Sequence, residues 1–362
     1  MNALEKTQRE ALASIGPMAS GRLLLAPRAG KTRIMIDLIK RDRPESILWV
    51  APERKLLDVD LPAEFRKWGA CECIGNGLLS TTTWASLNRA VGEYGLIVLD
   101  EEQCATEARC ATLLSGALRG RILSMTGTPT KHPEKEDLYR RLNLPVLYRM
   151  DIGDAVDGGI LADYGITVIR ASPSREKNIQ CGKPGKRFLT SERSLLDWYA
   201  RKIEEVAEGG GNTTQLVLAR RRAIHASPAK LAVAKRMLAL EGRKVFFCAD
   251  TRQAQALGVP SFHSKTNGVA YQKFQNGEID TVAMVNKGGT GHTYRGVDHL
   301  VVVQADSDRN GLTSQKIARA LLAQEGYKAK IWIICLVGTS DEKWVASALE
   351  SFDPEKIEHK NL

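Results

Sequence analysis

No apolar run of about eighteen residues occurs in the 362-residue chain, which excludes an ordinary membrane-spanning helix. The opening residues, Met1-Asn2-Ala3-Leu4-Glu5-Lys6, lack the basic-then-apolar order of a secretion signal. Cysteines are few and odd in number, seven in all. They are read as small buried thiols in a reducing compartment, not as a disulfide framework. Cys71, Cys73, Cys104 and Cys110 follow no common zinc or iron–sulfur spacing. His225, His263, His292 and His299 lack ligand spacing and are expected in turns or at the surface. These absences leave a cytoplasmic protein of ordinary globular composition, 43% hydrophobic and 26% charged. It is too long for one core of average size, so two domains are expected.

Positive charge is missing from the first half as an excess. Residues 1–165 hold 22 Lys/Arg and 22 Asp/Glu, whereas residues 166–362 hold 30 and 20, so the whole net charge of +10 belongs to the second half. Residues 170–236 alone carry 15 basic and 6 acidic side chains. Such a segment suits a polyanion, because each phosphate neutralised releases condensed counterions.

The first half alternates strand-like and helix-like runs, with strands expected at 23–26, 47–51, 79–83, 96–99 and 122–125. That is the pattern of an α/β nucleotide-binding domain with a parallel sheet. From Ser172 to Asn212 the alternation fails. There, Cys181-Gly182-Lys183-Pro184-Gly185-Lys186 and Gly209-Gly210-Gly211 bracket one amphipathic helix near 191–207. A second α/β series follows, with a helix at 227–241, strands at 244–248, 281–285 and 299–303, a helix at 313–323, a strand at 330–337 and a helix near 341–351. The expected layout is an ATP-binding domain over 1–165, a basic insertion or linker over 166–215 and a second domain over 216–362.

Two stretches carry the chemistry. Ala26-Pro27-Arg28-Ala29-Gly30-Lys31-Thr32 leads into a helix with Met35, Leu38 and Ile39 on one face. Backbone N–H groups from Arg28 to Thr32 and the helix N-terminus can hold phosphate oxygens, Lys31 can neutralise β/γ charge, and Thr32 can ligate Mg²⁺. The usual first glycine of such a loop is Leu25, and Arg28 stands where many carry Gly or Ser. Leu96-Ile97-Val98-Leu99-Asp100-Glu101-Glu102-Gln103 reads as a buried parallel strand ending in a carboxylate. Asp100 is expected to hold Mg²⁺ and Glu101 to polarise the attacking water. The chain is therefore expected to bind and hydrolyse ATP with Mg²⁺.

With two α/β halves and these motifs in this order, the sequence resembles superfamily 2 helicases and translocases, within them the Swi/Snf-like translocases and phage-type helicases. The resemblance spans roughly 7–160 and 216–350. It implies two tandem RecA-like domains with an ATP cleft between them. Gln8 takes the place of the adenine-contacting glutamine. Ala51-Pro52 and Thr82-Thr83-Trp84 occupy strand ends that touch nucleic acid in the family. Ser124-Met125-Thr126-Gly127-Thr128-Pro129-Thr130 resembles motif III, and Asp157 to Tyr164 is similar to the exit of the first domain. In the second half, Arg220-Arg221-Arg222 before Ser227-Pro228-Ala229-Lys230 resembles the approach to the second domain. Lys287-Gly288-Gly289-Thr290-Gly291-His292-Thr293 resembles motif V, where small residues let the backbone approach DNA and nucleotide. Gly338-Thr339-Ser340-Asp341-Glu342 resembles the stretch after motif VI.

Motif VI departs from its family form, Gln-x-x-Gly-Arg-x-x-Arg. Here it runs Gln315-Lys316-Ile317-Ala318-Arg319-Ala320-Leu321-Leu322, so Gln315 and Arg319 remain while the last arginine is Leu322. An arginine finger contributes on the order of 10³–10⁵ in rate where it has been isolated. Arg309, Lys316 or Arg319 are the candidates to replace it. The resemblance implies a DNA-dependent ATPase, monomeric, acting by phosphate-backbone contacts in replication, recombination or repair, with a protein partner from those processes and a bacterial or phage source. The competing expectations are an ATP-gated DNA-binding or recruitment factor with weak turnover and an RNA helicase. Trp198-Tyr199 is expected to pack on its own helix, with base stacking as the alternative.

Overall fold

The computed structural model describes residues 2–127, 132–183, 185–263, 265–285, 296–305, 312–321 and 327–361, with only the backbone of Leu312 and Arg319. The chain divides into two compact units, with the boundary between Ala162 and Asp163.

The first unit is built on strands β1 (Gly21–Leu25), β2 (Ile47–Ala51), β3 (Leu79–Thr83), β4 (Gly92–Asp100), β5 (Leu118–Thr126) and β6 (Val146–Met150). They form one sheet of order β3-β2-β4-β5-β1-β6, every pairing parallel. Parallel pairing requires crossover connections, and helices on both faces explain why β1 and β2 are buried at every position. Helix Lys31–Asp42 lays Ile34, Met35, Ile36, Leu38 and Ile39 into the core. On the other side of the sheet region, Leu48, Val50, Trp84, Ile97, Leu99, Leu138 and Tyr139 form one buried cluster. Helix Ala3–Ser14 begins with a reciprocal capping box between Asn2 and Glu5.

The second unit holds β7 (Asp163–Ala171), the hairpin strands β8 (Lys177–Cys181) and β9 (Phe188–Ser191), β10 (Lys244–Cys248), β11 (Ser261–Phe262), β12 (Thr281–Val285), β13 (His299–Val302), β14 (Lys328–Leu336) and β15 (Ile357–Asn361). Its main sheet, β11-β12-β10-β13-β14-β7-β15, is parallel throughout. Residues 166–215 contribute most of β7, the antiparallel β8–β9 hairpin and helix Glu192–Glu208. The core packs Ile169, Leu196, Ile224, Phe246, Val301 and Ile334 among others. His299 opens β13 and is only 7% exposed, accepting a hydrogen bond at Nδ1 from Trp332 Nε1 at 3.1 Å. It is therefore a core residue and not a surface one, because the strand it belongs to is central.

Two α/β units with parallel sheets match the fold class the sequence implies. Among the described residues no helix is long and apolar enough to cross a membrane, and no group of three His, Cys, Asp or Glu side chains could hold a metal. All seven cysteines are free thiols, four of them buried. Burial pushes the Cys248 and Cys335 thiols up to about 12, so neither is a ready nucleophile.

Candidate nucleotide site

In a parallel sheet every strand delivers its carboxyl end to the same edge, and ligands collect there. β1 ends at Leu25, β2 at Ala51, β3 at Thr83, β4 at Asp100 and β5 at Thr126, so the sequence-predicted residues of the first unit share one edge. Between β1 and helix Lys31–Asp42 the loop turns sharply. The Ala29 N–H donates to the Ala26 carbonyl at 3.2 Å, and Arg28 and Gly30 take left-handed backbone angles, φ 71° and 78°. Gly30 is required here twice over. Its φ disfavours a side chain, and an added Cβ would collide with the Gln8 amide. The helix starts at Lys31 with no side-chain cap, which leaves its first N–H groups free for an anion.

Gln8 sits against this turn, 6% exposed, and donates from Nε2 to the Ala29 carbonyl at 3.2 Å. Its Oε1 is buried with no hydrogen-bond partner. A cavity of about 400 Å³ opens beside it, lined in part by Gln8, Arg28, Lys31, Thr32, Arg33 and Trp68. Trp68 is held by a 2.7 Å hydrogen bond from Nε1 to Glu64 Oε2, and the Arg33 guanidinium lies 4.3 Å over its ring. An orphaned acceptor and a stacked face beside a phosphate loop fit a purine bearing an exocyclic amine.

The acidic end of β4 faces the same loop. Burial and the neighbouring Glu101 charge push Asp100 up to about 7, against the opposing pull of the Lys31 ammonium. A half-buried carboxylate near a lysine fits a hard divalent cation. Glu101 adopts φ 56°, a left-handed angle that costs a non-glycine residue about 1 kcal/mol and turns the chain out of the sheet. Its Oε2 accepts from Gln103 Nε2 at 2.8 Å. A Cβ at Gly127 would lie 2.9 Å from Lys31 Nζ, so the small residue after β5 makes room for the ammonium.

Sequence reasoning missed the layer beneath. Gln103 accepts at Oε1 from Thr126 Oγ1 at 2.6 Å, joining the end of β4 to the end of β5. Glu102, 1% exposed, takes bonds from Ser124 Oγ and from Arg22 Nε, the latter at 3.1 Å, and Tyr139 donates to its carbonyl at 2.9 Å. Burial raises the Glu102 carboxyl, and Arg22 and Ser124 act against that rise. The signal was present as Asp-Glu-Glu-Gln, but only the β4–β5 register, Asp100 beside Met125, shows what the last two residues meet.

Two solved structures share this architecture over essentially the whole chain. One is an ATP-dependent Type ISP restriction-modification enzyme, LlaBIII, bound to DNA, with TM-score 0.63 and 14% identity, covering 100% of this chain and 31% of that one. The other is the Pyrococcus furiosus Hef helicase domain, with TM-score 0.52 and 13% identity, covering 96% of this chain and 97% of that one. The likeness to both is one of fold. The two parallel sheets are tandem RecA-like domains. The chain spans about a third of the restriction enzyme's length. No protein-family model and no curated protein sequence matches it.

The other residues singled out in the sequence lie on both units. Pro52 follows β2 and Thr83 ends β3, neighbouring strands in register at Ala51 and Thr83. Arg220, Arg221 and Arg222 lie on helix Thr214–His225, where consecutive residues point about 100° apart, and of the three only Arg222 is exposed. Gln315 is buried on helix Leu312–Ala320, which also carries the Arg319 backbone. Thr128, Lys287, Gly288, Gly291, Arg309 and Leu322 lie outside the described residues.

Proposed function

We propose that this chain is an ATP hydrolase driven by DNA, a superfamily 2 motor of the Swi/Snf-like or phage-type branch that moves on or remodels DNA. The observation that carries the reading is the convergence of Lys31, Asp100 and Glu101 on a left-handed Gly30 turn whose neighbour Gln8 keeps a buried acceptor unpaired. In this reading the loop N–H groups and Lys31 hold the phosphates, and Gln8 reads the adenine amine. Thr32 and Asp100 would hold Mg²⁺, whose chemistry is to neutralise charge on the phosphate oxygens. Glu101, its carboxylate steadied by Gln103, takes a proton from the attacking water. Gln315, Arg319 and Gly291 are the second domain's contributors to the nucleotide.

Pro52, Thr83, Thr128, Arg220, Arg221, Arg222, Lys287 and Gly288 are the proposed track contacts, mostly to phosphates and therefore salt-sensitive. DNA is preferred to RNA because the restriction enzyme of like fold is described as bound to DNA. The protein works as a monomer in the cytoplasm of a bacterial or phage-infected cell, beside a replication or recombination partner. Leu322, standing where an arginine finger belongs, favours a second reading in which the fold serves as an ATP-gated clamp with little turnover.

One experiment separates these readings. ATP hydrolysis is followed for the wild type and Lys31→Ala, without polymer and with single-stranded DNA, duplex, fork and RNA at two salt concentrations. Turnover stimulated by DNA and absent from Lys31→Ala supports the motor. Binding to DNA without turnover supports the clamp, stimulation by RNA alone makes the track RNA, and wild-type turnover in Lys31→Ala refutes the site.

A further inference from the structure

Between β7 and helix Glu192–Glu208, strands β8 and β9 pair, among the described residues, only with each other. A two-stranded ribbon is marginal in water by itself, so what fixes this one matters. Its turn is closed by a Lys186 N–H to Lys183 carbonyl bond of 2.9 Å, and Gly182 at φ 98° leaves no space for a Cβ against the Lys186 carbonyl. At its base, Ser191 caps the following helix at the Ser194 N–H, and Ser174 N–H donates to Glu192 Oε2 at 2.8 Å.

The residues such a fixed ribbon displays are unusual. Residues 177–191 contain Lys177, Lys183, Lys186 and Arg187 and no acidic side chain. All four cations are exposed. Register places Phe188 opposite Cys181 and Leu189 opposite Gln180, so the two apolar side chains stand on opposite faces. Phe188 is 60% and Leu189 59% exposed. A ribbon docked on a protein surface has one apolar face and one wet face. A ribbon with apolar side chains on both faces, ringed by cations, suits insertion between two planar apolar surfaces that are bordered by anions. Stacked nucleobases between sugar-phosphate strands have that chemistry.

We propose that the β8–β9 hairpin is a nucleic-acid wedge: Phe188, backed by Leu189, enters between unstacked bases while Lys183, Lys186 and Arg187 hold the flanking phosphates. The inference deepens the reading of the chain as a nucleic-acid motor and rests on it. Its test needs no ATP.

Fluorescent single-stranded, blunt-duplex and forked oligonucleotides are titrated with the full chain and its variants at two salt concentrations. A parallel titration uses a single strand carrying 2-aminopurine. Phe188→Ala is expected to weaken single-strand and fork binding by roughly 5- to 100-fold, the worth of one stacked aromatic, and blunt duplex less than about twofold. It should also abolish the rise in 2-aminopurine emission that reports an unstacked base. Lys186→Ala and Arg187→Ala should each lower the salt slope by about 0.7–1 on every polymer. Both positions are exposed, so melting temperature and polymer-free ATPase should hold. Wild-type affinity of Phe188→Ala for single strand and fork overturns the wedge, as does equal weakening on all three polymers. A wild type that binds none of them overturns the motor reading itself.

Discussion

Lys230 Nζ and Asp341 Oδ2 lie 2.7 Å apart with both side chains at 0% exposure. Gln304 completes the site, accepting from Lys230 at 2.8 Å and donating to Asp341 Oδ1 at 2.9 Å, and the Leu336 N–H donates to Asp341 Oδ2 at 2.8 Å. The two ends of this pair come from stretches more than a hundred residues apart, and the network ties β14 to the helix that starts at Pro228.

A buried pair of this kind is costly to break on one side and cheap to replace on both. Lys230→Met is expected to lower unfolding free energy by about 3–5 kcal/mol, because it strands a carboxylate in the core. Lys230→Met with Asp341→Asn should recover more than half of that loss, since Asn is neutral, keeps one acceptor for the Leu336 N–H, and can donate its amide N–H to the Gln304 oxygen that Lys230 vacates. Urea unfolding of the two variants decides it. A double variant less stable than the single one would mean that the pair is net stabilising in itself.

At Asp100 the protein carries the opposite imbalance. The carboxyl is half-buried, near Glu101, and only partly offset by Lys31. Asp100→Asn should therefore raise the melting temperature of the nucleotide-free protein by a few degrees, with about 1 kcal/mol corresponding to about 2–4 °C in a chain of this class. The same change should remove the added stabilisation that Mg²⁺ with ATP gives the wild type. Thermal melts with and without Mg²⁺ and ATP test both halves. A destabilised variant that still responds to Mg²⁺ with ATP would place the cation elsewhere.

Asp163, where β7 begins, gives a pH signature. A hydrogen bond from Lys356 at 2.6 Å, joined by Lys328 at 3.1 Å, lowers its carboxyl to about 2. A depressed acid contributes stability that is complete above its ordinary value near 3.8 and is lost as pH falls through about 2. The carboxylate is nearly half exposed, so screening limits the contribution to about 1 kcal/mol or less. Asp163→Asn should thus be slightly less stable than wild type at pH 7 and equal to it near pH 2, read from denaturant midpoints across that range. A gap that persists at pH 2 would show that the contribution is not ionic.

The strands that were legible in the sequence are those buried on both faces. Ile47–Ala51, Lys244–Cys248 and Thr281–Val285 are unbroken apolar or near-apolar runs, and the structure starts and stops them where the sequence does. β6, β15 and the hairpin strands were not legible, because edge and ribbon strands keep polar side chains in solvent and lose the apolar run that marks a strand. At the candidate site, Lys31, Thr32, Asp100 and Glu101 stand out in the sequence because they fall in short local motifs, the form that the proposed phosphate and metal chemistry takes. Gln103 with Thr126, and Lys230 with Asp341, were not. Each is a contact between distant segments, set by strand register and helix placement.

Trp68 belongs to the same illegible class, a helix-terminal residue that only the fold brings to the cavity beside Gln8. Its indole is fixed by Glu64 and covered by Arg33, so in the proposed nucleotide site the flat pair would form a wall for the base. Trp68→Ala should raise KM for ATP about tenfold and leave kcat within about twofold, the signature of binding lost equally from ground and transition states. Gln8→Ala should act differently. Its unpaired Oε1 can accept from the adenine amine, and guanine offers a carbonyl at that position, so removal should collapse the preference for ATP over GTP while leaving GTP turnover unchanged. Steady-state kinetics with both nucleotides measure the two effects. If Gln8→Ala keeps the preference, the orphaned oxygen is not the reader, and selectivity must come from the Arg33–Trp68 wall.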